Sequence, residues 1–130
     1  MRHALLTALL LATPATAQTP MTAEEFEAYT TGKTLYFGSR GQAYGAEEYL
    51  DNRRVRWSFL DGKCKEGIWY EEAGLICFVY EDRPEPQCWS FVKTGDRLTA
   101  LFQDEPGNTE LYEARQSDEP MMCLGPDVGV

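Results

Sequence analysis

Residues 67–92 constrain the fold more than any other part of the chain. Their sequence, GIWYEEAGLICFVYEDRPEPQCWSFV, divides into three short apolar runs at 68–70, 75–80 and 88–92. Each run is rich in β-branched and aromatic residues and is bounded by turn residues, which is typical of strands rather than of a helix. The sequence therefore predicts three successive strands here. The central one is apolar on both faces, so we expect it to be covered on both sides.

Two of the four cysteines lie in this stretch. The loop at 81–86 contains two prolines, so we expect it not to continue a strand ladder. If Tyr80 pairs with Glu85 across that loop, Cys77 lies directly opposite Cys88, close enough for a disulfide. Four cysteines allow three connectivities, and this hairpin argument favours Cys77–Cys88, with Cys64 and Cys123 forming the second bridge. The spacings contain no Cys-x-x-Cys pair, which argues against a zinc ribbon or a thioredoxin-like redox site.

The first residues of the chain have the pattern of a secretory signal peptide. A basic head at 1–3 precedes an apolar run at 4–11, and Ala15-x-Ala17 stands in the cleavage position. The apolar run is too short to span a bilayer. We predict a signal peptide at 1–17 and a single β-rich domain at 18–130. The domain would be periplasmic or secreted, with no stable membrane insertion after cleavage.

Removal of residues 1–17 limits the catalytic and metal-binding functions that the chain can have. His3, the only histidine, is lost, and 11 lysines and arginines remain against 21 aspartates and glutamates, a net charge of −10. Without histidine, a Ser-His or Cys-His nucleophile pair is excluded, and the commonest zinc ligand is missing. Nucleic acids and anionic membranes both require a basic face. We therefore expect no enzyme activity, no cofactor, no metal site and no nucleic-acid partner.

One helix and about eight strands account for the rest of the sequence. Thr22 and Glu25 form a capping box, and Phe26 and Tyr29 lie on the face that we expect to dock on the sheet. Besides the three central runs, strands are predicted at 34–37, 42–50, 53–60, 97–102 and 109–114. Short turns favour an antiparallel meander that closes into a small lipocalin-like barrel. The alternative is an open antiparallel sheet covered by the helix and an irregular, pinned tail at 116–130.

Charged residues offer weak candidates for a site. Five pairs of neighbouring acids are expected to be solvated, because most of them lie in predicted turns and neighbours in a strand point to opposite faces: Glu47-Glu48, Glu71-Glu72, Glu81-Asp82, Asp104-Glu105 and Asp118-Glu119. Arg53, Arg54 and Arg56 form the basic cluster. If Asp51-Asn52 is a two-residue turn, Glu47 lies opposite Arg56 and the two form a cross-strand ion pair.

Aromatic residues are numerous, and two interpretations apply to them. A barrel of about eight strands can enclose a small ligand, but a chain this short needs its aromatic side chains to fill the interior, which we favour. The residues that would form a ligand or partner surface are Arg54, Arg56, Trp57, Trp69 and Trp89.

Several short motifs resemble a group of uncharacterised small exported proteins of Gram-negative bacteria. The motifs are Gly67-x-Trp69, Leu75-x-Cys77-Phe78-x-Tyr80, Cys88-Trp89 and Cys123-Leu124-Gly125-Pro126. The resemblance implies a β-rich fold, export and the Cys77–Cys88 pairing, and it transfers no activity.

We expect a non-catalytic structural or protein-interaction module whose partner is an envelope protein. The alternative is a calycin-like carrier of a small apolar or amphipathic ligand. An acidic surface would suit a basic protein partner.

Overall fold

The computed structural model describes residues 9–12 and 19–123, and its eight strands form one closed antiparallel barrel. Each strand pairs with the next, and the last pairs with the first. The elements are α1 (Ala23–Thr30), β1 (Thr34–Ser39), β2 (Gln42–Tyr49), a 3-10 turn (Asp51–Arg53), β3 (Arg54–Ser58), β4 (Lys65–Glu72), β5 (Leu75–Tyr80), β6 (Arg83–Thr94), β7 (Arg97–Phe102) and β8 (Glu110–Ser117). The predicted meander and its closure are confirmed, and in the described barrel every strand has a paired neighbour on both sides over at least part of its length. Most of the predicted signal peptide lies outside the described residues.

Helix α1 closes one end of the barrel, which we call the plugged end. The predicted capping box is present, with Glu25 N donating to Thr22 Oγ1 and Thr22 N donating to Glu25 Oε1. Phe26 is fully buried and packs edge-on against Tyr49 and Trp69, with ring centroids 5.6 and 5.1 Å apart. An eight-residue helix is too short to be stable alone, so this packing holds it in place. The other end of the barrel, which carries the β3–β4 and β5–β6 turns, is the open end.

The register between β2 and β3 differs from the predicted one. Glu48 pairs with Arg56 and Glu47 pairs with Trp57, so the predicted Glu47–Arg56 pairing is wrong. The turn consists of three residues, Asp51–Arg53, instead of two. Since successive side chains of a strand point to opposite faces, a slip of one residue exchanges the inner and outer faces. Glu47 therefore points into the barrel and Glu48 points outward.

The hairpin of β5 and β6 carries the predicted disulfide. Cys77 and Cys88 are directly paired in the ladder and bonded to each other. The predicted long loop is wrong, because Tyr80 pairs with Arg83 across a two-residue turn and β6 includes both prolines. The β6–β7 pairing begins only at Trp89, so Pro84 and Pro86 lie where β6 has no partner on its β7 side. A strand tolerates proline at such an unpaired position.

The C-terminal segment runs along the outside of the barrel from the plugged end towards the open end. Thr34 Oγ1 donates to Glu119 O at 2.9 Å, and Met121 N donates to Glu48 Oε2 at 3.1 Å. Cys123 is bonded to Cys64 in the β3–β4 turn, which confirms the second predicted bridge. Gln116 and Ser117, predicted to belong to the irregular tail, are the last residues of β8. The described tail is irregular from Asp118 onward and pinned as predicted, and residues 124–130 lie outside the description.

Candidate ligand-binding cavity

The barrel interior contains a cavity of about 150 Å³ between the plug and the open end. Every strand contributes at least one side chain to its wall. The lining residues are Phe37, Tyr44, Glu47, Tyr49, Trp57, Phe59, Lys65, Phe78, Tyr80, Asp82, Arg83, Gln87, Trp89, Phe91, Ala100 and Leu111. Phe59, Asp82 and Arg83 are exposed, so the cavity reaches the protein surface at the open end. The predicted aromatic core is therefore real but incompletely filled.

Glu47 is the one carboxyl group that the described residues place in the inner wall of this cavity. Its side chain is 1% exposed, and the Tyr80 hydroxyl donates to Oε1 at 2.8 Å. Within the described ranges, Oε2 is the one buried side-chain nitrogen or oxygen with no hydrogen-bond partner. Burial raises the pKa of Glu47 well above its ordinary value, and the Tyr80 hydrogen bond only partly opposes this. A buried polar group without a partner costs about 1–3 kcal/mol of stability.

Burial also raises the pKa of two tyrosines around Glu47. Removal from water raises the pKa of Tyr80 well above 10, and the nearby Glu47 carboxyl raises it further. Burial likewise raises the pKa of Tyr49, with smaller contributions from Glu47 and Glu113. Both hydroxyls therefore stay protonated at neutral pH. Tyr80 is a fixed hydrogen-bond donor that holds one oxygen of the carboxyl.

Two glycines make room for aromatic rings of the wall. A Cβ atom at Gly45 would overlap the indole ring of Trp57. A Cβ atom at Gly67 would lie 2.7 Å from Cδ1 of Tyr80, well inside van der Waals contact. The two missing side chains let Trp57 and Tyr80 lie close to the strands, and this helps to leave space at the centre. Gly67 belongs to the Gly-x-Trp motif noted in the sequence.

The rim at the open end is charged. Lys65 Nζ lies 2.7 Å from Asp82 Oδ2, and the same ammonium group lies 5.5 Å from the ring centroid of Phe59. The hydrogen bond from Lys65 lowers the pKa of Asp82, which stays ionised at neutral pH. Arg83 is the other cation of the rim. A ligand that enters here passes a mixed-charge ring before it meets the aromatic wall.

The sequence-predicted surface residues are separated by the fold. Trp57 and Trp89 line the cavity, whereas Trp69 packs against Phe26 at the plugged end. Arg54 is exposed on the outer face of the barrel. Arg56 lies on that face too, where it pairs with Glu66 at 2.7 Å and with Glu48 at 3.4 Å.

Glu47 was missed because all five acidic pairs were expected to be solvated. For Glu47-Glu48 that expectation is wrong, since both side chains are buried. The members of the other four pairs are exposed. The sequence offered one usable signal: Glu47 and Tyr49 alternate with Glu48 along a predicted strand, so one of the two acids had to face the interior.

Neither metal coordination nor known relatives identify the site. Among the residues that the structure describes, no group of three or more His, Cys, Asp or Glu side chains is placed to hold a metal ion. In the same residues, no helix is long and apolar enough to cross a membrane. No protein-family model, no curated protein and no solved structure matches this chain. The geometry of the cavity therefore carries the functional argument.

Proposed function

We propose that the protein binds a small amphipathic organic ligand in its barrel cavity and acts as a carrier or sensor of that ligand. The observation that carries the proposal is the buried Glu47 carboxyl in the cavity wall, one oxygen of which has no partner in the described protein. Buried polar groups in native proteins are almost always hydrogen-bonded. An exception inside an aromatic cavity that opens to the surface is explained by a ligand that completes the bonding.

The size of the cavity limits the ligand. A cavity of about 150 Å³ holds one benzene-sized group. We expect one ring or a short branched chain to occupy the interior, with any larger part of the ligand beyond the rim. Trp57, Trp89 and Phe37 would supply the apolar contact, and Glu47 with Tyr80 would supply the polar one. This combination of an apolar wall and a few fixed polar groups is typical of small-molecule sites.

The protein-interaction module expected from the sequence has weaker support. Its motivation is the negative charge, which belongs to the whole chain and marks no particular surface. The Glu47 carboxyl, by contrast, is one group at one place with an unmet bonding requirement.

Export remains part of the proposal. The two disulfides are typical of an oxidising compartment outside the cytoplasm. Cleavage of residues 1–17 and delivery to the periplasm would place the carrier there.

Titration with two simple probes, toluene and benzyl alcohol, tests the proposal. We expect saturable binding, with the largest amide chemical-shift changes in an NMR spectrum at residues of the cavity wall. Ala100→Leu adds three carbon atoms to a wall position that is 1% exposed, so it should weaken both probes. Ala114→Leu on β8 is the matched control, because Ala114 is exposed, and it should leave binding unchanged.

If the wild-type protein is saturated neither by these two probes nor by benzylamine, an amine of the same shape, the carrier proposal is wrong. It is equally wrong if the shifts map to the outside of the barrel. These two readouts need only the wild-type protein, so they decide the question even if Ala100→Leu fails to fold.

A further inference from the structure

We propose that the ligand is an organic amine, bound as an ammonium ion whose N–H groups donate to the Glu47 carboxylate. This inference rests on the proposed function and assigns the chemical class of the ligand. It concerns a site formed by Glu47, Tyr80 and the aromatic wall around them.

The charges around the cavity favour a cation. Among the described residues, Glu47 is the only acid of the inner wall, and the two cations of the lining, Lys65 and Arg83, belong to the rim. Lys65 is already paired with Asp82 at 2.7 Å. The described interior thus holds a carboxyl with no counter-ion. An ammonium ligand supplies both the missing positive charge and the missing hydrogen-bond donor.

The aromatic wall suits the same ligand. Tyr44, Trp57 and Trp89 belong to the lining, and the ring faces of tryptophan and tyrosine attract cations within about 6 Å. A neutral apolar ligand would fill the cavity as well, but it would leave the carboxyl unsatisfied. A neutral alcohol would donate one hydrogen bond but would not stabilise the ionised form of the carboxyl.

The carboxyl can present its unpartnered oxygen to a ligand. Oε2 has almost no surface accessible to water. The terminal torsion of a glutamate side chain is soft, so the carboxyl plane turns at small cost. Tyr80 then keeps one oxygen, and the ammonium group takes the other.

Proton release accompanies this binding. An ammonium ion requires the ionised form of Glu47, whose protonated form is favoured in the empty cavity by burial. The other titratable or charged groups that line the cavity are Tyr44, Tyr49 and Tyr80 in the wall and Lys65, Asp82 and Arg83 at the rim. Binding of an amine therefore expels a proton, and its affinity rises with pH while the amine stays protonated.

Calorimetry with three probes of one shape tests the inference. Benzylamine, benzyl alcohol and toluene are titrated into wild-type protein, Glu47→Gln and Glu113→Gln at pH 6 and pH 8. We expect benzylamine to bind wild type at least about tenfold more tightly than benzyl alcohol, as one desolvated cation–π and charge contact allows. Titration in buffers of different ionisation enthalpy should show proton release for benzylamine alone.

The variants separate charge from shape. Glu47→Gln keeps the size of the side chain and loses its charge, so it should abolish the preference for the amine and leave toluene binding within about threefold. Glu113→Gln changes a buried glutamate of the plugged end and should keep the preference.

Equal affinities for the three probes, unchanged by Glu47→Gln, would overturn the inference while the carrier function stands. Absence of binding by all three would overturn the carrier function itself.

Discussion

Two buried glutamates, one towards each end of the barrel, have opposite surroundings. At the plugged end, Glu113 is 2% exposed, and Tyr29 Oη and Leu98 N donate to its Oε1 at 2.7 and 3.2 Å. Gln116 Nε2 donates to its Oε2 at 3.0 Å. Glu47 also has a tyrosine donor, Tyr80, but its second oxygen has none in the described chain. Both are buried Glu–Tyr pairs, and one of them is incomplete.

The difference separates a structural role from a binding role. Glu113 joins α1 to β7 and β8, and all of its bonds lie within the protein. Glu47 joins nothing except Tyr80 and faces a cavity. Natural proteins leave polar groups incompletely paired mainly where a ligand or a reaction completes them, at a cost in stability. The plugged end thus stabilises the fold, and the open end contains the proposed ligand-binding site.

The largest effect is expected from the phenylalanines of the two ends. Phe26→Ala should lower the free energy of unfolding by about 3–5 kcal/mol, because it empties the fully buried centre of the plug. Phe59→Ala at the rim, where the ring is 54% exposed, should cost about 1 kcal/mol or less. Urea denaturation measures both. Equal costs would mean that the helix is not the plug of the barrel.

The next largest effect is the difference in stability between variants that remove one or the other of the two Glu–Tyr pairs. Glu113→Met with Tyr29→Phe should cost about 2 kcal/mol, because the buried Leu98 N–H loses its acceptor. Glu47→Met with Tyr80→Phe removes both partners of an incomplete pair, so it should change stability by less than about 1 kcal/mol or raise it.

Thermal unfolding of the two double variants checks this, with benzylamine binding as the second readout. The double variant at Glu47 and Tyr80 should stay folded but no longer bind benzylamine. If it unfolds like the Glu113 variant, Glu47 is structural, and the contrast between the ends disappears.

The two disulfides provide a smaller difference. Cys64–Cys123 spans 59 residues and ties the open end to the tail, whereas Cys77–Cys88 spans 11 residues within one hairpin. In the chain-entropy model the longer loop contributes more, by about 1.5 kcal/mol. Cys64→Ala with Cys123→Ala should therefore lower Tm more than Cys77→Ala with Cys88→Ala. The reverse order would show that the buried hairpin bridge matters through its packing.

The smallest expected effect is a pH dependence of the difference in Tm between Glu47→Gln and the wild type. Burial raises the pKa of Glu47 in the folded state above its unfolded value of 4.5. The folded state then holds a proton that the unfolded chain has lost, so this group's contribution to stability falls as pH rises from 4.5 through the folded pKa. The Glu47→Gln variant has no carboxyl group at this position, so its stability does not fall with pH for this reason. Its Tm relative to wild type should rise with pH between 4.5 and 8, and a flat difference would contradict the assigned environment.

Much of the fold was predictable because each strand and the helix have local signals. The capping box at Thr22 and the strand predicted at 53–60 depend only on neighbouring residues, and both predictions are confirmed. The pairing of Cys77 with Cys88 was predicted from one hairpin. The predicted loop of that hairpin was too long, but the pairing is still correct because both cysteines lie on the far side of the register shift from the turn.

Alternation alone could show that one of Glu47 and Glu48 faces the interior, but not which one, because that choice depends on one residue of turn length. Asn52 and Arg53 both have positive φ, 59° and 58°, and this unusual pair makes the three-residue turn. Asparagine adopts positive φ more readily than most residues, but arginine does so rarely, so nothing at Arg53 indicates this conformation. The error moved Glu47 to the wrong face. The void itself depends on how several large rings pack together, which no local pattern contains.

The carboxyl carbon resonances of Glu47 and Glu113 test the central claim most directly. In ¹³C NMR spectra at pH 7, added benzylamine should move the Glu47 Cδ signal towards the ionised position until the site saturates. The Glu113 Cδ signal, whose bonds are complete within the protein, should stay in place. A Glu47 signal that stays fixed while benzylamine binds, or a Glu113 signal that moves in its place, would contradict the account.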